Sequence, residues 1–208
     1  YRGARIVGEQ MPLDDVEFQL DIVNGTIKVS PVQFGVDEGH IEVYATLDNA
    51  GQDPRLDVLA NLRKVDASKL LGALGKAYKG DGHIGGHIEL KTHGQSVAEW
   101  LGAGNGRVQL FMSGGNFSAV LLDLAGLDFG NAVVSALGIP SRTEIRCLVG
   151  DLPLENGLLS AKTVVLDTGS ANLVIDGSTN LARETLDLRA QTEPKRLNIG
   201  RPRAPIHI

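Results

Sequence analysis

Apolar and polar residues alternate along most of this chain. Val16, Phe18, Leu20 and Ile22 alternate with Glu17, Gln19 and Asp21, and Ile41, Val43, Ala45 and Leu47 with Glu42, Tyr44 and Thr46. Leu56, Val58, Ala60 and Leu62 repeat the spacing, as do Ile84, Gly86, Ile88 and Leu90, then Val108, Leu110 and Met112. A period of two puts each set on one side of a half-buried strand. Ile27 and Val29 share a face, with Val32, Phe34 and Val36 after Pro31. Pro31 cannot donate a ladder hydrogen bond, so it marks a strand start, a bulge or an edge. Asn24-Gly25, Glu38-Gly39, Asp53-Pro54, Asn156-Gly157 and Asp176-Gly177 punctuate the pattern with residues suited to turns.

The period changes in three places. Asp66 to Leu74 reads as a short helix with Asp66 as N-cap. Ser96 and Glu99 offer a capping box for another, ending near Gly102. Leu121, Leu122, Leu124, Leu127, Val133, Val134 and Leu137 suggest two helices within 117–138, divided at Gly126–Gly130. A turn–strand–turn–strand–helix unit recurs loosely at Gly25–Leu71 and Gly82–Leu101. The expected fold is mainly β: a long curved antiparallel sheet, as meander, groove or half-barrel, with a few short α-helices. Neighbours in sequence pair. One domain spans 1–208, with N-terminal hairpins at 1–65, mixed strands and helices at 66–138, and a β-meander at 139–208.

The meander is densest from Ile145 to Lys195. Ile145, Cys147 and Val149 are read as one face, alternating with Arg146, Leu148 and Gly150. Leu173 and Ile175 form another pair, and Leu186, Leu188 and Ala190 a third set. The segment contains Ile145-Arg146-Cys147-Leu148-Val149-Gly150-Asp151-Leu152, then Val165-Leu166-Asp167-Thr168. Gly177-Ser178-Thr179-Asn180-Leu181-Ala182-Arg183-Glu184-Thr185-Leu186-Asp187-Leu188 and Pro194-Lys195 follow. In order and spacing this string resembles the C-terminal signature region of the AsmA family, and the resemblance extends upstream over most of the chain.

Composition narrows the chemistry. A net charge of −5 without a basic cluster argues against nucleic acid as a partner, and 4% aromatic residues provide few stacking platforms. The single cysteine, Cys147, cannot form an internal disulfide and reads as a buried strand residue. His83, His87 and His93 cluster near Glu89, but they read as exposed histidines, and neither metal nor cofactor is expected. Asp167-Thr168-Gly169 resembles the active-site triplet of pepsin-like proteases. That reaction needs two carboxylates sharing one proton, and the chain has no second such triplet. Asp167 therefore reads as a strand-to-turn residue, no catalytic residue is assigned and the chain is not expected to be an enzyme.

The remaining signal is the apolar face itself. A sheet this long could close as a sandwich, be capped by helices of 117–138, or stay open as a groove. From the residues alone the closed sandwich is the plainer answer. The AsmA resemblance tips the balance to the groove, because the family looks related to bridge-type lipid carriers. It implies that phospholipid acyl chains lie along an apolar floor, with Val43, Leu110, Ile145, Val149, Leu173, Ile175, Leu186 and Leu188 as candidate floor residues. It further implies a place on the periplasmic face of the Gram-negative inner membrane, held by a helix upstream of Tyr1, and phospholipid transfer to the outer membrane. The alternatives are a non-enzymatic envelope scaffold that binds proteins of outer-membrane assembly, and an aspartic protease. Ala204-Pro205-Ile206-His207-Ile208 resembles the start of one more strand.

Overall fold

The computed structural model describes residues 2–6, 13–36, 38–73, 82–115, 144–169, 171–195 and 206–207. The helices expected within 117–138 lie outside them. Twelve strands run in sequence order across one antiparallel sheet that does not close into a barrel. They are β1 (Arg2–Ile6), β2 (Leu13–Val23), β3 (Thr26–Val36), β4 (Gly39–Asp48), β5 (Arg55–Asp66), β6 (His83–His93), β7 (Asn105–Ser113), β8 (Ile145–Glu155), β9 (Leu158–Thr168), β10 (Ala171–Asn180), β11 (Thr185–Pro194) and β12 (Ile206–His207). Among the described residues two short helices interrupt the series, α1 (Ala67–Ala73) after β5 and α2 (Val97–Gly102) after β6. The closed sandwich is absent among the described residues, where extensive strand contacts join only sequence neighbours.

Residues directly opposite each other in a ladder share a face, so the register sorts the side chains. The sorting is clean. Phe34, Ile41, Leu62, Gly86, Leu110, Gly150, Val164, Ile175 and Ala190 form one unbroken row from β3 to β11. The register places Glu42, Asn61, His87, Gln109, Asp151 and Thr163 in the adjacent row on the opposite face.

Bulges keep this sorting intact where the ladder slips. Two of them, between Asp14 and Glu17 and between Leu62 and Val65, hold Asp15 and Lys64 at φ 50° and 51°. An extra residue on one strand shifts parity and returns the next apolar side chain to the floor. Pro31 lies in a third bulge, between Val29 and Val32, in the middle of β3. A fourth, between Ile145 and Cys147, inverts part of the expected face of β8. Ile145 pairs with buried Thr168, whereas Cys147 and Val149 pair with Asp167 and Val165 on the polar side. The strand presents Leu148, Gly150, Leu152 and Leu154 to the apolar face instead.

The two ends of the strands are finished differently. At one end α1 closes over the sheet. The Asp66 carboxylate accepts from the backbone N–H groups of Ser68 (2.7 Å) and Lys69 (3.1 Å), as an N-cap should. Leu70 then packs on Val36, Ile41 and Val65. At the other end successive turns are stitched together. Asn49 N–H donates to Gly25 carbonyl at 3.2 Å, Gly94 to Pro54 at 2.9 Å, Gly157 to Gly104 at 2.9 Å and Leu181 to Gly157 at 2.8 Å. Gly157 has φ +76°, and a Cβ there would meet the Gly102 carbonyl oxygen at 2.4 Å, so only glycine fits this junction.

Candidate functional site: an open apolar face

The apolar face is the largest chemical feature of the described residues. A second continuous row, Leu20, Val29, Ala45, Val58, Leu90, Gly106, Leu154, Leu159, Thr179 and Leu186, runs from β2 to β11. Ten strands at ~4.8 Å spacing make such a track roughly 43 Å long. Burial falls from one side of the track to the other. Val36, Val65, Leu166, Leu173 and Thr168 are fully buried at the α1 end, while Phe18, Leu20, Ile22 and Leu186 are exposed. Most floor residues between these limits are only half-buried. Soluble monomers rarely leave contiguous apolar patches beyond a few hundred Å² uncovered, and larger ones mark sites of interaction.

Seven of the eight candidate floor residues lie on this face. Val43 stands in the row Val32, Val43, Ala60, Ile88, Val108 and Leu152. Leu110 and Ile175 belong to the first row, and Leu186 to the second. Leu173 pairs with Leu166, and Leu188 with Gly177. Ile145 and Leu173 are buried at the closed end, so they serve packing. Val149 is the correction: it is 41% exposed on the opposite face, in a short row with Phe111, Val165 and Val174. The β8 residues that do reach the floor could have been found from the spacing Leu148, Gly150, Leu152, Leu154. That series was masked by the alternation starting at Ile145.

The other chemical candidates dissolve into structure. The Thr168 hydroxyl donates to the Ala171 carbonyl at 2.6 Å and accepts from the Ala171 N–H at 3.0 Å, closing the β9–β10 turn. The Asp167 carboxylate pairs with Lys195, whose ammonium also donates to the Thr168 carbonyl at 2.8 Å. The histidines of β6 sit on the polar face. His87 lies 2.7 Å from Asn61 Oδ1 and 3.2 Å from Glu89 Oε1, and His93 3.1 Å from an Asp53 oxygen. Among the described residues no group of three acidic, histidine or cysteine side chains could hold a metal. No helix among them is long and apolar enough to cross a membrane.

An open antiparallel sheet with a continuous apolar face and a mainly polar opposite face defines the class: an open β-sheet protein. The family model for the AsmA family matches residues 1–164, and the chain belongs to that family. It is 28% identical over 211 residues to the AsmA family protein YhjG of Escherichia coli (strain K12). That alignment covers the whole chain but 30% of the relative, so the chain spans under a third of the relative's length. No solved structure matches.

Proposed function

We propose that this chain holds phospholipid acyl chains along its apolar face and passes them between the membranes of a Gram-negative envelope, from the periplasmic side of the inner membrane. One observation carries the reading: the uninterrupted apolar row from Phe34 to Ala190, with no second sheet over it among the described residues. Membership of the AsmA family supports the link to envelope lipid transport. A lipid tail spans about half of the ~30 Å hydrocarbon core of a bilayer, so a track of about 43 Å has room for tails end to end. Each CH₂ removed from water contributes ~0.8 kcal/mol. Rows of near-equivalent aliphatic residues give a tail many sites of similar energy, which lets it slide without a nucleophile or a cofactor.

Native mass spectrometry of the chain purified from a Gram-negative host tests this. Co-purified phospholipid that is lost in folded Leu110→Asp and Leu188→Asp variants supports the track. A lipid-free parent protein would sink it. A second reading, an envelope scaffold, rests on the outer-face row of Phe111, Val149, Val165 and Val174, of which Phe111 and Val149 are exposed. It is favoured if the chain is lipid-free and Phe111→Asp abolishes capture of an outer-membrane assembly protein.

A further inference from the structure

Exposed apolar side chains gather at the stitched end of the strands. Ile22, Val23, Val97, Leu101, Leu158 and Leu186 are each 39–65% exposed, and all stand in or beside the connections there. They come from the β2–β3 turn, α2, the β8–β9 turn and the β10–β11 turn. They are not confined to the floor. Ile22 and Val23 are neighbours in an extended strand and point to opposite faces. Leu186 pairs with Thr179 on the floor side, whereas Leu158 pairs with Glu155 on the outer side. Val97 and Leu101 lie four apart, on one side of α2. Among the described residues, the remaining exposed large apolar side chains are Phe18 and Leu20, farther along the floor of β2, and Phe111 and Val149 on the outer face.

This rim is also prepared for a neighbour that offers no hydrogen bonds. Its turns bond to one another through the backbone, as described above. In addition Asn156 N–H donates to Asn105 Oδ1 at 3.0 Å, Arg183 N–H to Asn180 Oδ1 at 2.9 Å and the Trp100 indole N–H to the Gly94 carbonyl at 2.8 Å. A polar group with a partner inside the protein loses little when water leaves, whereas an unpaired one is costly to bury. Beside Trp100, between the β4–β5 turn and the start of α2, the rim holds an open recess of about 730 Å³. Leu47, Asn49, Gln52, Gln95 and Trp100 line it, and no ionisable side chain is among its described lining residues.

We infer that this rim docks on the surface of a phospholipid bilayer, inserting its aliphatic turn residues shallowly and requiring no anionic lipid. The choice of a bilayer rests on the acyl-track reading above: a carrier must exchange tails with a membrane, and the second floor row, from Leu20 to Leu186, borders this rim. Two features favour hydrocarbon over a protein partner. The six residues are all aliphatic, whereas the hot spots of protein interfaces are rich in Trp, Tyr and Arg. They are also strung out from β2 to β11, roughly 43 Å at the usual strand spacing, a line that suits an extended, deformable surface better than a compact contact patch. The rim carries Arg55 and Arg183 beside Asp53, Glu99 and Glu184, so no basic patch draws it to anionic headgroups.

Flotation with vesicles tests this. The chain should float with phosphatidylcholine vesicles, and neither added phosphatidylglycerol nor high salt should change the bound fraction. A Val97→Glu, Leu101→Glu pair and an Ile22→Thr, Val23→Thr pair, all at exposed positions, should each lower that fraction several-fold. Thr163→Asp, exposed on the outer face, should leave it unchanged. Flotation only with phosphatidylglycerol, or rim variants that float as the parent does, overturns the docking rim. Native mass spectrometry of the same samples reads the track separately. A parent that retains phospholipid but does not float loses the rim and keeps the track. A parent that floats but carries no lipid keeps the rim and loses the track.

Discussion

Ile145 and Cys147, two residues apart on β8, lie on opposite faces of the sheet. The ladder to β9 slips by one between them, pairing Ile145 with Thr168 and Cys147 with Asp167. Ile145 is 2% exposed against the closed end of the floor, while Cys147 is half-buried on the polar side. One extra residue thus decides which side of β8 meets the apolar track.

This placement separates two substitutions that the alternation alone would group. Val149→Asp puts a carboxylate on an exposed outer-face position and should change stability by no more than about 0.5 kcal/mol, with lipid load unaffected. Leu188→Asp puts the same group on the track, where an unpaired charge meets aliphatic neighbours, and should cut bound lipid several-fold. Urea denaturation and native mass spectrometry on the same samples distinguish the two. Equal lipid loss in both would mean that the face assignment is wrong.

Gly106 should tolerate no side chain. It has φ +150°, and a Cβ would stand 2.0 Å from the Glu89 carbonyl oxygen across the β6–β7 ladder. Gly106→Ala is expected to lose about 1–3 kcal/mol, the usual cost of holding a strained backbone. The urea midpoint should fall with the slope unchanged.

The Asp-Thr-Gly triplet should behave as a turn. Asp167→Asn weakens a partly exposed pair with Lys195 and should cost at most about 1 kcal/mol. Thr168→Val removes a buried hydroxyl that serves both backbone groups of Ala171, and should cost about 1–3 kcal/mol. Thermal denaturation of both variants checks the order. Peptide cleavage by the parent that disappears in Asp167→Asn would instead restore the protease reading.

Acid should weaken the α1 end. Burial raises the pKa of Asp66, but its hydrogen bonds from Ser68 and Lys69 outweigh this and hold it below the usual value. The hydrogen bond and charge of Lys64 likewise lower Glu38. A carboxylate with a depressed folded pKa contributes stability above its unfolded pKa, near 4, and loses it as pH falls through the folded value. Stability should therefore be flat from pH 7 to about 5 and decline below about 4. Asp66→Asn should flatten that decline more than Glu38→Gln, whose exposed pair with Lys64 is screened by solvent. An unchanged acid limb in Asp66→Asn would contradict the assignment.

Much of this architecture was legible from residue order. Strand positions followed the period of two, and Asn24-Gly25 and Asn156-Gly157 marked turns with both asparagines at positive φ. Ser96 and Glu99 signalled α2: the Ser96 hydroxyl accepts from the Glu99 N–H at 3.2 Å, and the Glu99 carboxylate accepts from the Gln95 N–H at 2.7 Å. Ile206 and His207 do pair with β11. The recess beside Trp100 was not legible, because it joins residues near 50 to residues near 95, which only the pairing of β5 with β6 brings together.

The sequence by itself determined that this chain is a meander of amphipathic strands, because the side-chain period of an extended backbone is a local property. Tertiary structure decided three things that local pattern cannot hold. It left the sheet open where the same alternation also fits a sandwich, because closure depends on contacts between distant strands. It set the face of each β8 residue, because a bulge belongs to a pair of strands and not to either alone. And it aligned floor positions of successive strands into one continuous track, because that continuity exists only in the register between neighbours.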